Sequence, residues 1–432
     1  MKTTKGLIFC LVIISCILLN VEYARSFNNN SENSAGFGIP VLPGVSGFGL
    51  DAVGGKGGKI IAVTNLNRDG KGSLAEALDA EGPRIIVFEV AGVIDLDRKS
   101  LRVTNPFVTI AGQTAPSPGI TLIKGALVIA THEVIVQHVR ARPGEAGFPK
   151  KSGWEPDGIA TTGGAYNVII DHCTATWAPD ENLSASGPRF NGSNVDEWRK
   201  NTSHRVTISN SIIAQGLSNS THEKGEHSKG TLIHDNATDI LLYGNLYADN
   251  MDRHPLAKGG SQTAVVNNYI FNPGRAVVHY ALNAGEWEGH EWVTGKITVE
   301  GNYIEYGPDT SENIYVGRFR GPVEVYWKDN KVVSNTTVNE FLGTPTFMAN
   351  RPVWPDGLTP MPAAEVKEHV LQNAGAFPWD RDELDRKLVA AVRDGNGKII
   401  DSEVEAGGYP VVTPVYQKFN ADEWDLLTMT KK

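Results

Sequence analysis

Very little in this chain can form a covalent cross-link. It has three cysteines in 432 residues, and Cys10 and Cys16 both fall in a segment, residues 1–26, that reads as a cleaved export signal. Cys173 is then left without an internal partner, so packing and hydrogen bonding must carry stability even in an oxidising compartment. Long apolar runs are equally scarce. The longest, Leu7 to Leu19, follows Lys2 and Lys5 and is short for a bilayer span, and Ala24 and Ser26 sit like the small residues of a cleavage site. Ile13-Ile14-Ser15-Cys16 resembles a lipoprotein box, but the apolar run continues past Cys16, which disfavours a lipid-anchored surface form. The expectation is therefore a secreted or periplasmic protein starting near Phe27, with no transmembrane segment. An excess of basic residues is also lacking. Lys and Arg number 40 against 49 Asp and Glu, for a net charge of −9, and the leader carries Lys2, Lys5 and Arg25 against Glu22, so the exported chain is more acidic still. This argues against a nucleic-acid partner. It also means that a polyanionic substrate would need local cations or a bound metal to be held.

Helical periodicity is missing from about Ile60 to Val333. In its place are short β-rich runs that each end in a polar residue, such as Val134-Ile135-Val136-Gln137-His138, Val168-Ile169-Ile170-Asp171-His172 and Val206-Thr207-Ile208-Ser209-Asn210. The punctuating residues His138, His172, Asn210, Asn245, Asn268 and Asn302 are 34, 38, 35, 23 and 34 residues apart, which suits coils of a solenoid with variable loops. Asparagines at one bend of successive coils can hydrogen-bond up and down the stack, so Asn210, Asn245 and Asn302 are expected at equivalent bends. A β-propeller is disfavoured because no four-strand unit repeats. The fold class expected is all-β, a right-handed parallel β-helix over 27–335. Residues 336–432 are expected to form a partly helical C-terminal extension packed on it, after a proline-rich stretch (Pro345 to Pro362), with helical spacing at Ala363 to Gln372 and Arg381 to Arg393. Asp380 or Asp382 could cap the second helix, and such a cover would protect an exposed solenoid edge. Cys173 reads as a small buried apolar residue.

Several passages resemble polysaccharide lyase family 1, the pectate lyase-like family, in its bacterial branch. They are Gly47-Phe48-Gly49, Gly54-Gly55-Lys56-Gly57-Gly58-Lys59, Val63-Thr64-Asn65-Leu66, Ile110-Ala111-Gly112-Gln113-Thr114-Ala115-Pro116 and Ile170-Asp171-His172-Cys173, with Gly407-Gly408-Tyr409-Pro410 near the end. The resemblance implies a calcium-assisted β-elimination on a uronic-acid glycan. That chemistry needs a cation at the uronate carboxylate and a base near C5. The implied Ca2+ ligands are Glu155, Asp157 and Asp180, with Glu181 as a substitute for an acid the family commonly carries where this chain has Ser184. In Asp252-Arg253-His254-Pro255-Leu256-Ala257-Lys258, Arg253 takes the position of the proposed base and Lys258 that of a binder of substrate carboxylates. Arginine is an unusual base because it stays protonated near neutral pH, so Lys224 or His254 could take the proton instead. Lys224 lies in a polar loop with His222 and His227, and His222 and His254 are further candidates for substrate contact. The histidines could alternatively hold a transition metal, although their spacing fits no helix-borne motif. His138 and His172 fall at the ladder position and read as structural.

The substrate implied is an acidic polysaccharide or oligosaccharide, and the protein is expected to act as a monomer. The same proton abstraction at a free C4 hydroxyl would make an oligosaccharide dehydratase, for example on an algal glycan such as ulvan. A glycoside hydrolase would need paired acids such as Asp171, Asp180 and Asp157, and would leave Arg253 unexplained. A non-catalytic carbohydrate-binding β-helix would lack converging cations and acids.

Overall fold

The computed structural model describes residues 41–432, so the expected export signal lies outside the described residues. Three long parallel sheets of eleven, ten and nine strands run the length of the molecule. Each coil of chain contributes one strand to the first sheet, then the second, then the third. Thus Tyr166–Asp171, Thr174–Thr176 and Glu181–Ala185 form one turn of a right-handed parallel β-helix, and His204–Ser209, Ile212–Ala214 and Lys229–Ile233 form the next.

Alternation within the strands explains the winding. Val168 and Ile170 pair in register with Val134 and Val136 below and with Val206 and Ile208 above. All six are fully buried in the central core, while the intervening Ile135 and Ile169 join a second apolar cluster on the outer side of the sheet. Like side chains therefore stack on like, coil after coil. Two short helices, Leu74–Asp79 and Val195–Lys200, interrupt the β pattern. Six residues are too few to show a 3.6-residue period in sequence. The first buries Leu74, Ala77 and Leu78 against the core, and the buried Arg84 donates to the Ala77 and Leu78 carbonyls at 3.2 and 2.8 Å.

The polar bends turn out to be two adjacent columns. Asn245, Asn268, Asn302 and Asn330 form the ladder, each amide oxygen accepting from the backbone N–H one coil before it at 2.9–3.0 Å. Asn210 is not a rung. Its coil places Ser211 there, because Ile212 pairs with Leu246. Asn210 sits one residue earlier, in a column of positive φ that holds His138 (57°), His172 (49°), Asn267 (55°) and Asp329 (47°), and its own φ is 46°. Asparagine suits both columns, since it tolerates the left-handed region and also caps backbone groups. That dual aptitude is why sequence spacing merges them.

Parallel pairing continues past residue 335, through Asn339–Leu342 and Thr346–Phe347. The chain then returns along the outside. Helices Ala363–Asn373 and Glu383–Arg393, the latter capped by Asp382, bury Val366, Val370, Leu388 and Val392 against Ile212, Leu246, Tyr269 and Phe271 of the second sheet. The two helices cover a sheet face, and a later stretch of the extension reaches a sheet edge. Arg140 and Arg142, which point outward from that face, are neutralised by Asp382 and Asp385 at 2.7–3.4 Å. Val415–Tyr416 finally pairs antiparallel with Val90–Ala91, closing one edge of the second sheet.

Candidate active-site groove

The chemistry-bearing residues gather along the third sheet and the bends that enter it. Register sets the column. Ile159 pairs with Leu183, Glu181 with Lys229, and Lys229 with Asp252 through a single bridge. Asp157, Glu181, Lys229 and Asp252 are thus neighbours on successive coils. Between Lys229↔Asp252 and Leu232↔Leu256 the register slips by one residue. Arg253 occupies that extra position with φ 71°, a bulge that re-aims its side chain. Its guanidinium contacts the Glu181 carboxylate.

Ligand atoms of Asp157, Asp180 and Glu181 all lie within 4.8 Å of one another. Burial, followed by repulsion from Asp180, pushes the Asp157 carboxyl up to about 7, against the opposing pull of a Ser184 hydroxyl bond and Arg253. Burial also works against the Asp180 carboxylate, but the hydrogen bond from His227 at 2.6 Å, the charge of His227 and Arg253 outweigh it and hold Asp180 below its ordinary range. For Arg253, burial pulls the pKa down while Asp180 and Asp157 push back. The trio of hard oxygen donors, with one member forced toward its protonated form, is a cluster short of positive charge. It fits a calcium-type cation. Glu155 stands outside the trio and meets His222 Nε2 at 3.3 Å.

His222 and His227 stack with ring centroids 3.8 Å apart, and their Nε2 atoms lie 3.7 and 2.6 Å from the same Asp180 oxygen. The Lys224 backbone N–H donates to His222 Nδ1 at 3.1 Å. That leaves His222 Nε2 facing the acids, where ligand atoms of Asp180, His222 and His227 also lie within 4.8 Å of one another. The Lys224 side chain is exposed on this loop. His254 does not reach the groove surface. It is fully buried, with Nδ1 2.9 Å from the Ala276 carbonyl oxygen, and burial lowers its pKa to about 4. Lys258 is engaged by Glu286 at 2.5 Å and Asp235 at 3.4 Å. Arg189 and Trp287 bind the same Asp235, so Lys258 belongs to a balanced network in the groove wall.

Sequence reading missed Lys229, Asp252 and Arg275. Asp252 joins the other two, at 2.9 Å to Lys229 Nζ and 2.7 Å to Arg275 Nε. Burial opposes its ionisation, yet Lys229, His279 and Arg275 bring its pKa down to about 2. Coil spacing does not single out Lys229, because Glu181 pairs with it 48 residues on and Asp252 only 23 beyond that. Farther along the same sheet Arg318 pairs in register with His279, and Arg320 with Ala281, which extends the basic strip.

Clustered acids beside an arginine, on one face of a parallel β-helix, bring carboxylate oxygens close enough to share a cation. A pectate lyase family profile matches residues 24–377. The chain is 33% identical over 382 residues to "Probable pectate lyase C" of Neosartorya fischeri, across 86% of this chain and 81% of that protein. It is 34% identical over 382 residues to the Aspergillus flavus protein of the same name, with the same two coverages. This chain therefore belongs to the pectate lyase family, and it is a polysaccharide lyase. Among solved structures it shares its fold with jun a 1, the major allergen from cedar pollen (TM-score 0.54, 17% identity, 76% of this chain and 92% of that one). It also shares it with a pectate lyase bound to hexasaccharide (TM-score 0.53, 15% identity, 80% and 99%). These findings favour neither the dehydratase, nor the hydrolase, nor the non-catalytic reading. No helix among the described residues is long and apolar enough to cross a membrane.

Proposed function

We propose that this chain is an exported, calcium-assisted pectate lyase whose proton acceptor is Arg253. The observation that carries the reading is Arg253 itself, turned by a bulge onto the acids of the neighbouring coils. Asp157, Asp180 and Glu181 would hold the ion, with His227 and His222 orienting Asp180. Bound Ca2+ supplies positive charge at the uronate carboxylate, which acidifies the proton on C5.

Arg253 takes the C5 proton. The C5–H electron pair becomes the C4–C5 double bond, the C4–O bond breaks with its pair, and the departing oxygen takes a proton from water. For this role Arg253 must spend part of its time neutral, and burial of its guanidinium moves it in that direction. Arg275, which is part-exposed, presents a cation to the carboxylate of an adjoining sugar, Lys224 can do so from the loop above, and buried Lys229 holds Asp252 in place. Lys258 keeps its wall position by pairing with Glu286.

Incubation with polygalacturonate should build up the ultraviolet absorbance of the unsaturated product, and chelator should abolish it. If polygalacturonate stays silent while alginate or ulvan gives the signal, the assignment to pectate is wrong. A chelator-resistant signal would remove calcium from the scheme.

A further inference from the structure

A cavity of about 670 Å³ lies away from the groove. It opens where the first sheet bends into the second, and the returning C-terminal segment forms its far wall. We propose that it is a second, non-catalytic carbohydrate site that takes a short neutral oligosaccharide.

The polar floor is a hydrogen-bonded relay. Gln113 Nε2 donates to Gln137 Oε1 at 3.1 Å, Gln137 Nε2 donates to Asp171 Oδ2 at 3.0 Å, and that oxygen also meets His172 Nδ1 at 2.8 Å. One group at the end of the relay is unused among the described residues: Gln113 Oε1 is buried without a partner. At the other end the His172 ring lines the cavity and is 25% exposed. Buried polar atoms are normally satisfied. Here the missing partner suits a sugar hydroxyl, which donates and accepts with equal ease.

The apolar side is aromatic. Trp379, an unusually large apolar side chain to leave 63% exposed, has its ring centroid 5.0 Å from His138 and 5.1 Å from Phe377. A pyranose can lay its C–H face on such an indole while its hydroxyls reach the relay. Charge selects the class of sugar. Asp380 and Glu423 line the cavity against Lys418 and Lys431, and Lys431 is already 3.6 Å from Glu423. With no net positive charge, this site cannot favour a polyanion as the groove does. An enzyme holding neutral sugars here and uronates in the groove would be anchored to a mixed polysaccharide.

The test is calorimetric titration of the whole protein with xylotriose, cellotriose, galactotriose and arabinotriose, with trigalacturonate as comparison. At least one neutral trisaccharide should bind, Trp379→Ala should weaken that binding by roughly tenfold or more, and Arg253→Ala should leave it unchanged. Trp379 is exposed and outside the groove, so Trp379→Ala should keep full turnover on soluble polygalacturonate. Absence of binding by all four neutral sugars would overturn the proposal. So would binding that survives Trp379→Ala, or that disappears in Arg253→Ala, since either result would place the sugar elsewhere.

Discussion

Replacing Arg253 with alanine separates two duties that the geometry gives to one side chain. In the ion-free protein its guanidinium is the positive charge that partly neutralises Asp157, Asp180 and Glu181. In the proposed turnover it is the proton acceptor. A unit charge about 4 Å from a carboxylate, at an effective dielectric near 20, contributes roughly 4 kcal/mol. The side chain is 20% exposed, and if only a third of that survives solvent screening, about 1.4 kcal/mol remains, or roughly tenfold in an equilibrium constant. Arg253→Ala should therefore bind calcium about ten times more tightly than the parent, because the ion no longer competes with a resident cation. Turnover should move the opposite way, falling roughly 10²- to 10⁴-fold with the loss of a general base. Arg253→Lys keeps the charge but loses the planar fork, so it should show near-parental calcium affinity with turnover still low. Calorimetric calcium titration and the ultraviolet assay read the two duties independently. Parental turnover in Arg253→Ala would move the proton acceptor elsewhere, with Lys224 and Lys229 the next candidates. Unchanged calcium affinity would mean that the ion is not held by this trio.

The β-helix was legible in the sequence because one unit recurs. Val134, Val168 and Val206 each open a short β-rich run closed by a polar bend, and its repetition marks coils of a solenoid. The individual bends were not, since one residue type satisfies two neighbouring positions, and only pairing register shows that Asn210 belongs with His172 and not with Asn245. In the site, Asp157, Asp180 and Arg253 could be named from motif resemblance. Lys229 could not, because it opens a strand and carries no motif of its own, and its place comes from the coil below and the coil above. Lys258 shows the converse. Motif position marked it as a binder of substrate carboxylates, and its partner Glu286 is 28 residues away in sequence, a pairing that no local pattern encodes.

The Asp157 carboxyl, at about 7 against an ordinary 3.8, makes a signed prediction. Between about pH 4 and 7 the folded protein holds this proton while the unfolded chain has lost it, so the ion-free protein should lose stability as pH rises through that window. Denaturant titrations in chelator at pH 5 and pH 8 should show that difference shrinking in Asp157→Asn, and an identical difference in the variant would refute the assignment. The C-terminal extension offers a test of another kind. Asp385 is almost fully buried and accepts from Arg140 at 3.1 Å, from Arg142 at 2.7 Å and from Thr174 at 2.9 Å. Both arginines are buried as well, so Asp385→Ala leaves two guanidiniums beneath a helix with only Asp382 to answer them. Breaking a buried pair costs about 3–5 kcal/mol, and because Asp382 retains its bonds to Arg142, the loss should fall near the lower end. Replacing Arg140 with Met and Asp385 with Leu, which keeps the Arg142–Asp382 pair, should recover most of it, since the cost arises from uncompensated charge and not from the missing contact. The groove lies on a different sheet, so calcium affinity and turnover of the folded Asp385→Ala protein should match the parent. A loss below about 1 kcal/mol would mean that water reaches these arginines and that the extension is held by its apolar face, Val366, Val370 and Val392, alone.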